Sequence, residues 1–187
     1  TKKNLPFYIL FIDIEKAFDN IDYDLLFKIL EIYMFPKKII NLIKLIYVDC
    51  KFNINNGEKF NKEKGLDQGC SLSMFLFNIV FDFLIRTLHN KTKDENCRFD
   101  SLEFCDDVCL FSSSRINIKL KFNVMNSLLK KIGLRINIDK CALISSDNSI
   151  ELFYNNKKIR CFDNVLYLKN YVGKNLNEVN DINIKRR

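Results

Sequence analysis

Tryptophan is absent from the 187 residues, histidine occurs once, and only 5 Gly and 2 Pro interrupt the chain. So few breakers leave room for long regular elements. The single His89 has no metal-ligand neighbour in sequence, and no pair among the seven cysteines has Cys-x-x-Cys spacing. Both absences argue against a zinc site. No signal peptide is expected either, because Thr1-Lys2-Lys3-Asn4 leads straight into a strand-like run. The thiols are therefore expected to be reduced, serving as small buried hydrophobes in an intracellular protein of nucleus or cytoplasm. The longest apolar stretch, Met74 to Leu88, is interrupted by Asn78, Asp82 and Arg86. It falls short of the roughly 18 residues a bilayer span needs, so no membrane partner is expected.

What is present is phenylalanine, at 17 residues, with hydrophobic residues at 48% and charged residues at 28%. The phenylalanine, together with abundant Asn, Ile and Lys, reads as a drift toward A/T-rich codons. The balance of apolar and charged residues is that of one globular core. A formal net charge of +7 suits a polyanionic partner, although many basic domains never touch nucleic acid.

Phe7 to Ile12 is an unbroken apolar run ending on Asp13, as in a strand buried on both faces. Asp22 is placed to cap a helix carrying Leu25, Ile29, Ile32 and Tyr33. Pro36 opens a second helix, with Ile39, Ile40, Ile43, Ile46 and Tyr47 at helical spacing. Short strands are predicted around Phe52-Ile54 and Glu58-Asn61, turning at Asn55-Asn56-Gly57. Gly65 to Ser73 is a loop, with Ser73 as the expected cap of a long apolar helix. Arg98-Phe104 and Val108-Phe111 form a hairpin around Asp106-Asp107. Phe122, Met125, Leu129 and Ile132 mark a helix stopping at Gly133. Strands follow near Leu134-Ile138, Cys141-Ser145, Ile150-Phe153, Lys158-Cys161 and Leu166-Val172. This order predicts an α+β fold with an antiparallel sheet packed on helices. The domain is expected over 1–174, with a polar, disordered tail over 175–187.

Carboxylates at Asp13 and Asp106-Asp107 are the chemically suggestive feature. A carboxylate beside an apolar strand is costly unless something positive meets it. Hard oxygen ligands suit Mg²⁺, and two such ions can hold the attacking and leaving oxygens of a phosphoryl displacement. Taken alone, Asp106-Asp107 reads more readily as a solvated turn than as a metal site.

The surrounding residues change that balance. Phe11-Ile12-Asp13-Ile14-Glu15-Lys16-Ala17-Phe18-Asp19 resembles the first palm motif of reverse transcriptases, and Gly65 to Ser73 with Leu76-Phe77-Asn78 resembles the second. Phe104-Cys105-Asp106-Asp107 resembles the third, Gly133 to Asn137 with Lys140 the fourth, and Tyr171-Val172-Gly173 a stretch that follows it in non-LTR (LINE-type) retrotransposons. The motifs stand in family order from Phe11 to Gly173. The chain thus resembles the palm domain of an RNA-directed DNA polymerase, with fingers and thumb mostly missing.

The resemblance implies that Asp13, Asp106 and Asp107, with the Ile14 carbonyl, hold two Mg²⁺ ions, for which Mn²⁺ is a substitute. It makes Phe18 a steric gate against the ribose 2′-hydroxyl and sets Gln68 and Gly69 under the templating base pair. Lys140 would meet the triphosphate or protonate the leaving pyrophosphate; one more surface lysine is the competing reading. The implied partners are an RNA template, a DNA primer and deoxynucleotides. Asp67, Ser71 and Met74 stand where the family usually has a basic residue and two prolines, and Cys105 replaces a common alanine. A catalytically decayed palm that only binds nucleic acid is the alternative, and oligomeric state is left open.

Overall fold

The computed structural model describes residues 6–48, 51–53, 59–61, 63–95, 97, 99–147, 149–175 and 179. Its centre is a five-stranded sheet. Strand β1 (Tyr8–Ile12) lies between β5 (Asp107–Ser112) and β6 (Ala142–Ser145), both antiparallel to it. Strand β4 (Ser101–Phe104) forms one edge, and β9 (Arg160–Cys161), parallel to β6, forms the other. Side chains alternate across a strand. Tyr8, Leu10 and Ile12 accordingly enter the main core, while Phe11 joins Cys109, Ala142 and Ile144 on the reverse face. Both faces are covered, which is why the β1 run shows no polar alternation.

Helices cover the main face. Helix α1 (Tyr23–Ile32) begins at Asp22, whose side chain accepts from the Leu25 amide at 2.8 Å, as expected of that cap. Pro36 precedes α2 (Lys37–Tyr47) as its N-cap. The short strands β2 (Lys51–Asn53) and β3 (Lys59–Asn61) pair, and the turn expected at Asn55-Asn56-Gly57 lies outside the described residues. Helix α3 (Ser71–Thr92) buries Leu76, Phe77, Val80, Phe81, Leu84 and Leu88 against α1 and α4 (Arg115–Lys131). Helix α4 ends where Gly133 turns to φ +76, the left-handed conformation that a helix C-terminus favours.

Several expectations need correction. The cap of α3 is Cys70, and Ser73 is instead a buried helical residue bonded to the Tyr47 hydroxyl at 2.8 Å. At 22 residues α3 exceeds the Met74–Leu88 stretch, and by length and composition alone it could cross a membrane. Among the described cysteines only Cys109 and Cys141 are buried, whereas Cys70 and Cys161 are exposed. Leu134-Ile138 forms just the single bridge Ile14–Ile136. The remaining strands are shorter than expected: β7 (Phe153–Tyr154) pairs with β8 (Lys157–Lys158), and β10 (Asn164–Tyr167) with β11 (Asn170–Gly173). Apart from Asn175 and Val179, the polar tail lies outside the described residues.

Candidate active site

The β1–β5 register sets the carboxylates. Ile12 pairs with Val108, so one step further Asp13 comes opposite Asp107. Phe104 pairs with Asp107 and closes the two-residue turn Cys105-Asp106. Only Asp106 therefore occupies the turn, while Asp107 opens β5. Cys105 carries φ +56, a left-handed conformation that costs a residue with a Cβ. That strain is held at the tip bearing Asp106, where the Cys105 thiol meets the Met74 sulfur at 3.6 Å.

Burial, then the nearby charges of Asp106 and Asp13, hold the Asp107 carboxyl above its ordinary range, and Lys140 pulls it back. The Lys140 ammonium lies 3.7 Å from the Asp13 carboxylate. Three carboxylates thus converge on one end of the sheet with one close cation. Among the described residues, no three His, Cys, Asp or Glu side chains are near enough to chelate an ion as they stand. The donors are nonetheless hard oxygens, and their mutual repulsion is what a divalent cation would relieve. Ile14 lies beside them, bridged to Ile136, with the neighbouring Asp13 carbonyl accepting from the Asn137 amide at 2.9 Å.

The raised Asp107 pKa carries a sign. Its proton is held more tightly in the folded state, so this contribution to stability is fully present below the unfolded pKa and is lost as pH rises through the folded one. Without divalent cations, Asp107→Asn should therefore melt above the parent at pH 7, with the gap closing toward pH 3.5. A melting temperature unchanged or lowered at pH 7 would show that the carboxylates do not repel in the folded chain.

A cleft of about 620 Å³ opens beside this cluster, lined by Phe18, Gln68, Gly69, Cys70, Ser71, Met74 and Asp106. Phe18 begins a short 3-10 turn (Phe18–Asn20), and its ring stacks on Phe77 at 4.2 Å, which stacks in turn on Phe81 at 4.5 Å. The loop bearing Gln68 is docked on that turn. The Gly65 and Leu66 amides donate to the Ile21 and Phe18 carbonyls, both at 2.8 Å. A Cβ at Gly65 would stand 2.5 Å from the Asp19 carbonyl oxygen, so only glycine allows this approach. The Gln68 amide reaches Asp19 at 3.5 Å. Gly69 has φ +88 and open space where a Cβ would be.

Asp13, Asp106, Asp107 and Lys140 are thereby brought to one place, with Ile14 beside them, and Phe18, Gln68 and Gly69 share the adjoining cleft. The sequence reading missed Cys70 and Met74 as cleft walls, though both lie in the quoted second motif. It also missed Tyr167, whose hydroxyl donates to the Asp107 carbonyl at 3.4 Å and whose ring packs on Phe11. Nothing in the local sequence marks Tyr167, because its contact spans 60 residues.

Comparison with known proteins gives this geometry its lineage. The chain is 31% identical over 140 residues to the Pol polyprotein of the type-2 retrotransposable element R2DM of Drosophila melanogaster, covering 72% of this chain and 13% of that protein. It is 28% identical over 152 residues to the Pol polyprotein of the type-1 retrotransposable element R2 of Popillia japonica, covering 77% and 25%. The chain therefore spans a quarter or less of these relatives. In fold it is similar to apo telomerase from Candida tropicalis truncated from its C-terminal domain, with a TM-score of 0.64 at 20% identity over 92% of this chain and 37% of that truncated chain. Residues 1–167 match the reverse transcriptase (RNA-dependent DNA polymerase) family, and the chain belongs to that family.

Proposed function

We propose that this chain forms the palm of an RNA-directed DNA polymerase, in which a primer 3′-hydroxyl attacks the α-phosphorus of a deoxynucleotide paired to an RNA template. The observation that carries the reading is the convergence of Asp13, Asp106 and Asp107 at the end of a cleft walled by Phe18 and Gln68-Gly69. The retrotransposon relatives support the same reading.

Asp13, Asp106 and Asp107, with the Ile14 carbonyl, would hold two Mg²⁺ or Mn²⁺ ions. When bound, these ions supply the positive charge that favours the attacking alkoxide and the departing pyrophosphate. The chain's own residues position the reactants. Gln68 and Gly69 lie on the cleft wall that would face the templating base pair, where Gly69 leaves room for close approach. Phe18, braced by Phe77, presents a ring where a ribose 2′-hydroxyl would have to fit. Lys140 places a proton and a positive charge beside the carboxylates, suited to meeting a leaving phosphate. Sequence copying comes from base pairing.

One observation favours a second reading, a palm that binds nucleic acid without catalysis. Asp67 puts an exposed carboxylate next to Gln68, where the template would pass. The deciding experiment sets this chain in place of the matching segment of the Drosophila element protein. Primer extension is then measured on an RNA template with deoxynucleotides and Mg²⁺. Template-dependent extension supports the polymerase, and a folded chimera that binds template but never extends it supports the second reading.

The same assay tests the gate. Phe18→Val should raise ribonucleotide use relative to deoxynucleotide use by about 10- to 100-fold, on the scale of steric discrimination in a pocket. An unchanged ratio would leave Phe18 as core packing alone.

A further inference from the structure

The Lys140 ammonium is exposed on a loop, yet it sits 3.7 Å from Asp13. A lysine side chain on four rotatable carbons gains little by being near a charge unless its backbone is fixed. The start of the loop is tied, since the Asn137 amide donates to the Asp13 carbonyl at 2.9 Å. Its far end enters β6 at Ala142. The tip is Asp139, and two cations from a later segment hold it. Arg160 Nη2 donates to the Asp139 carbonyl oxygen at 2.5 Å, and the Lys157 ammonium pairs with the Asp139 carboxylate, which lowers that carboxyl's pKa.

These cations stand on an anchored backbone. Arg160 lies in β9, paired with Ala142 in the sheet, and the Phe162 amide donates to the Leu143 carbonyl at 2.9 Å. Ile159, between the two cations, is fully buried and donates its amide to the Leu152 carbonyl. Residues 157–160 therefore join the sheet edge to the loop that carries Lys140.

We propose that Arg160 and Lys157 are positioning residues for the transfer reaction, clamping Asp139 so that Lys140 is presented to Asp13 and the leaving phosphate. The proposal rests on the polymerase reading above. It adds two residues outside every motif that the sequence offered. Because the clamp is solvent-exposed, its effect is moderate. A displacement of about an ångström at a reacting group is nevertheless enough to be read in the rate.

Two measurements decide it. Amide hydrogen exchange on the whole chain should show Asp139 to Cys141 exchanging faster in Arg160→Ala, with Leu10 and Leu110 in the sheet centre unchanged. In the Drosophila chimera, Arg160→Ala should lower kcat about tenfold with KM for the deoxynucleotide within about twofold. Arg160→Lys should recover part of that loss. In a Lys140→Ala background, Arg160→Ala should cost nothing further, because its effect travels through the lysine. Full additivity of the two substitutions would overturn the proposal, as would unchanged exchange at Asp139 to Cys141. A parent chimera that never extends would instead overturn the polymerase reading and the catalytic role with it, while the exchange result still decides whether the clamp holds the loop.

Discussion

Asp106→Ala in the chimera should reduce primer extension by about a thousandfold or more, the loss expected when charge stabilisation of several kcal/mol leaves a transition state. Asp106 is the one carboxylate of the three that projects from the hairpin turn, and the only one that lines the cleft. Its removal leaves Asp13 and Asp107 opposed across the sheet without the third oxygen donor set. The fold should not suffer, because an exposed turn residue contributes within about half a kcal/mol. Asp106→Ala should even relieve Asp107, whose proton affinity its charge helps to raise. The informative pattern is therefore activity lost with template binding and melting temperature retained. Extension that survives Asp106→Ala would remove the carboxylate cluster from the mechanism. Loss of folding along with activity would make the residue structural.

Lys121→Ala should destabilise the folded chain by about 3 kcal/mol or more, the scale on which breaking a buried ion pair operates. Lys121 is completely buried in α4, an unusual place for an ammonium. Its Nζ donates to Asp100 Oδ1 at 2.6 Å, to the Phe111 carbonyl at 2.7 Å and to the Asp100 carbonyl at 3.5 Å. All three protons are used, which is the condition for tolerating a charge in the interior. Alanine would strand the Asp100 carboxylate and the Phe111 carbonyl beside a cavity. Asp100 keeps 26% side-chain exposure and can rehydrate in part, which argues for the lower end of the range. Lys121→Met with Asp100→Asn should recover much of the loss. Urea unfolding of these two variants beside the parent tests this, and a cost under about 1 kcal/mol for Lys121→Ala would mean that the pair hardly matters.

Much of the architecture was visible in the sequence where a local pattern and a tertiary environment agree. β1 read as central because an apolar run without alternation needs cover on both sides, and it has that cover. Gly133 read as a helix stop, and Asp22 as a cap, because both act within a turn of their own position. Where partners lie far along the chain, the reading failed. Ser73 has the chemistry of a cap, but Tyr47 claims its hydroxyl inside the core. Lys121 looks like one more polar position on an amphipathic helix until Asp100 and Phe111 are placed around it. The segment after Gly133 looked like a strand because Leu134, Ile136 and Ile138 alternate, yet only Ile136 finds a bridge partner.

The residues of the candidate site divide along the same line. Asp13, Asp106 and Asp107 could be named from flanking strand signals and the ordered motifs, since the register of two adjacent strands then brings them together. Tyr167, Lys157 and Arg160 belong to pieces of backbone with no motif of their own. They reach the carboxylates or the Lys140 loop only after β6, β9 and β10 have assembled.

The stack of Phe18 on Phe77 on Phe81 has an evolutionary consequence. A ring that would choose between sugars is stacked on Phe77, which is stacked in turn on Phe81, so its tilt is inherited from buried core packing. Drift at Phe77 or Phe81 would change substrate preference as silently as it changes stability. Sugar choice in such a lineage could loosen before any residue of the cleft itself had been replaced.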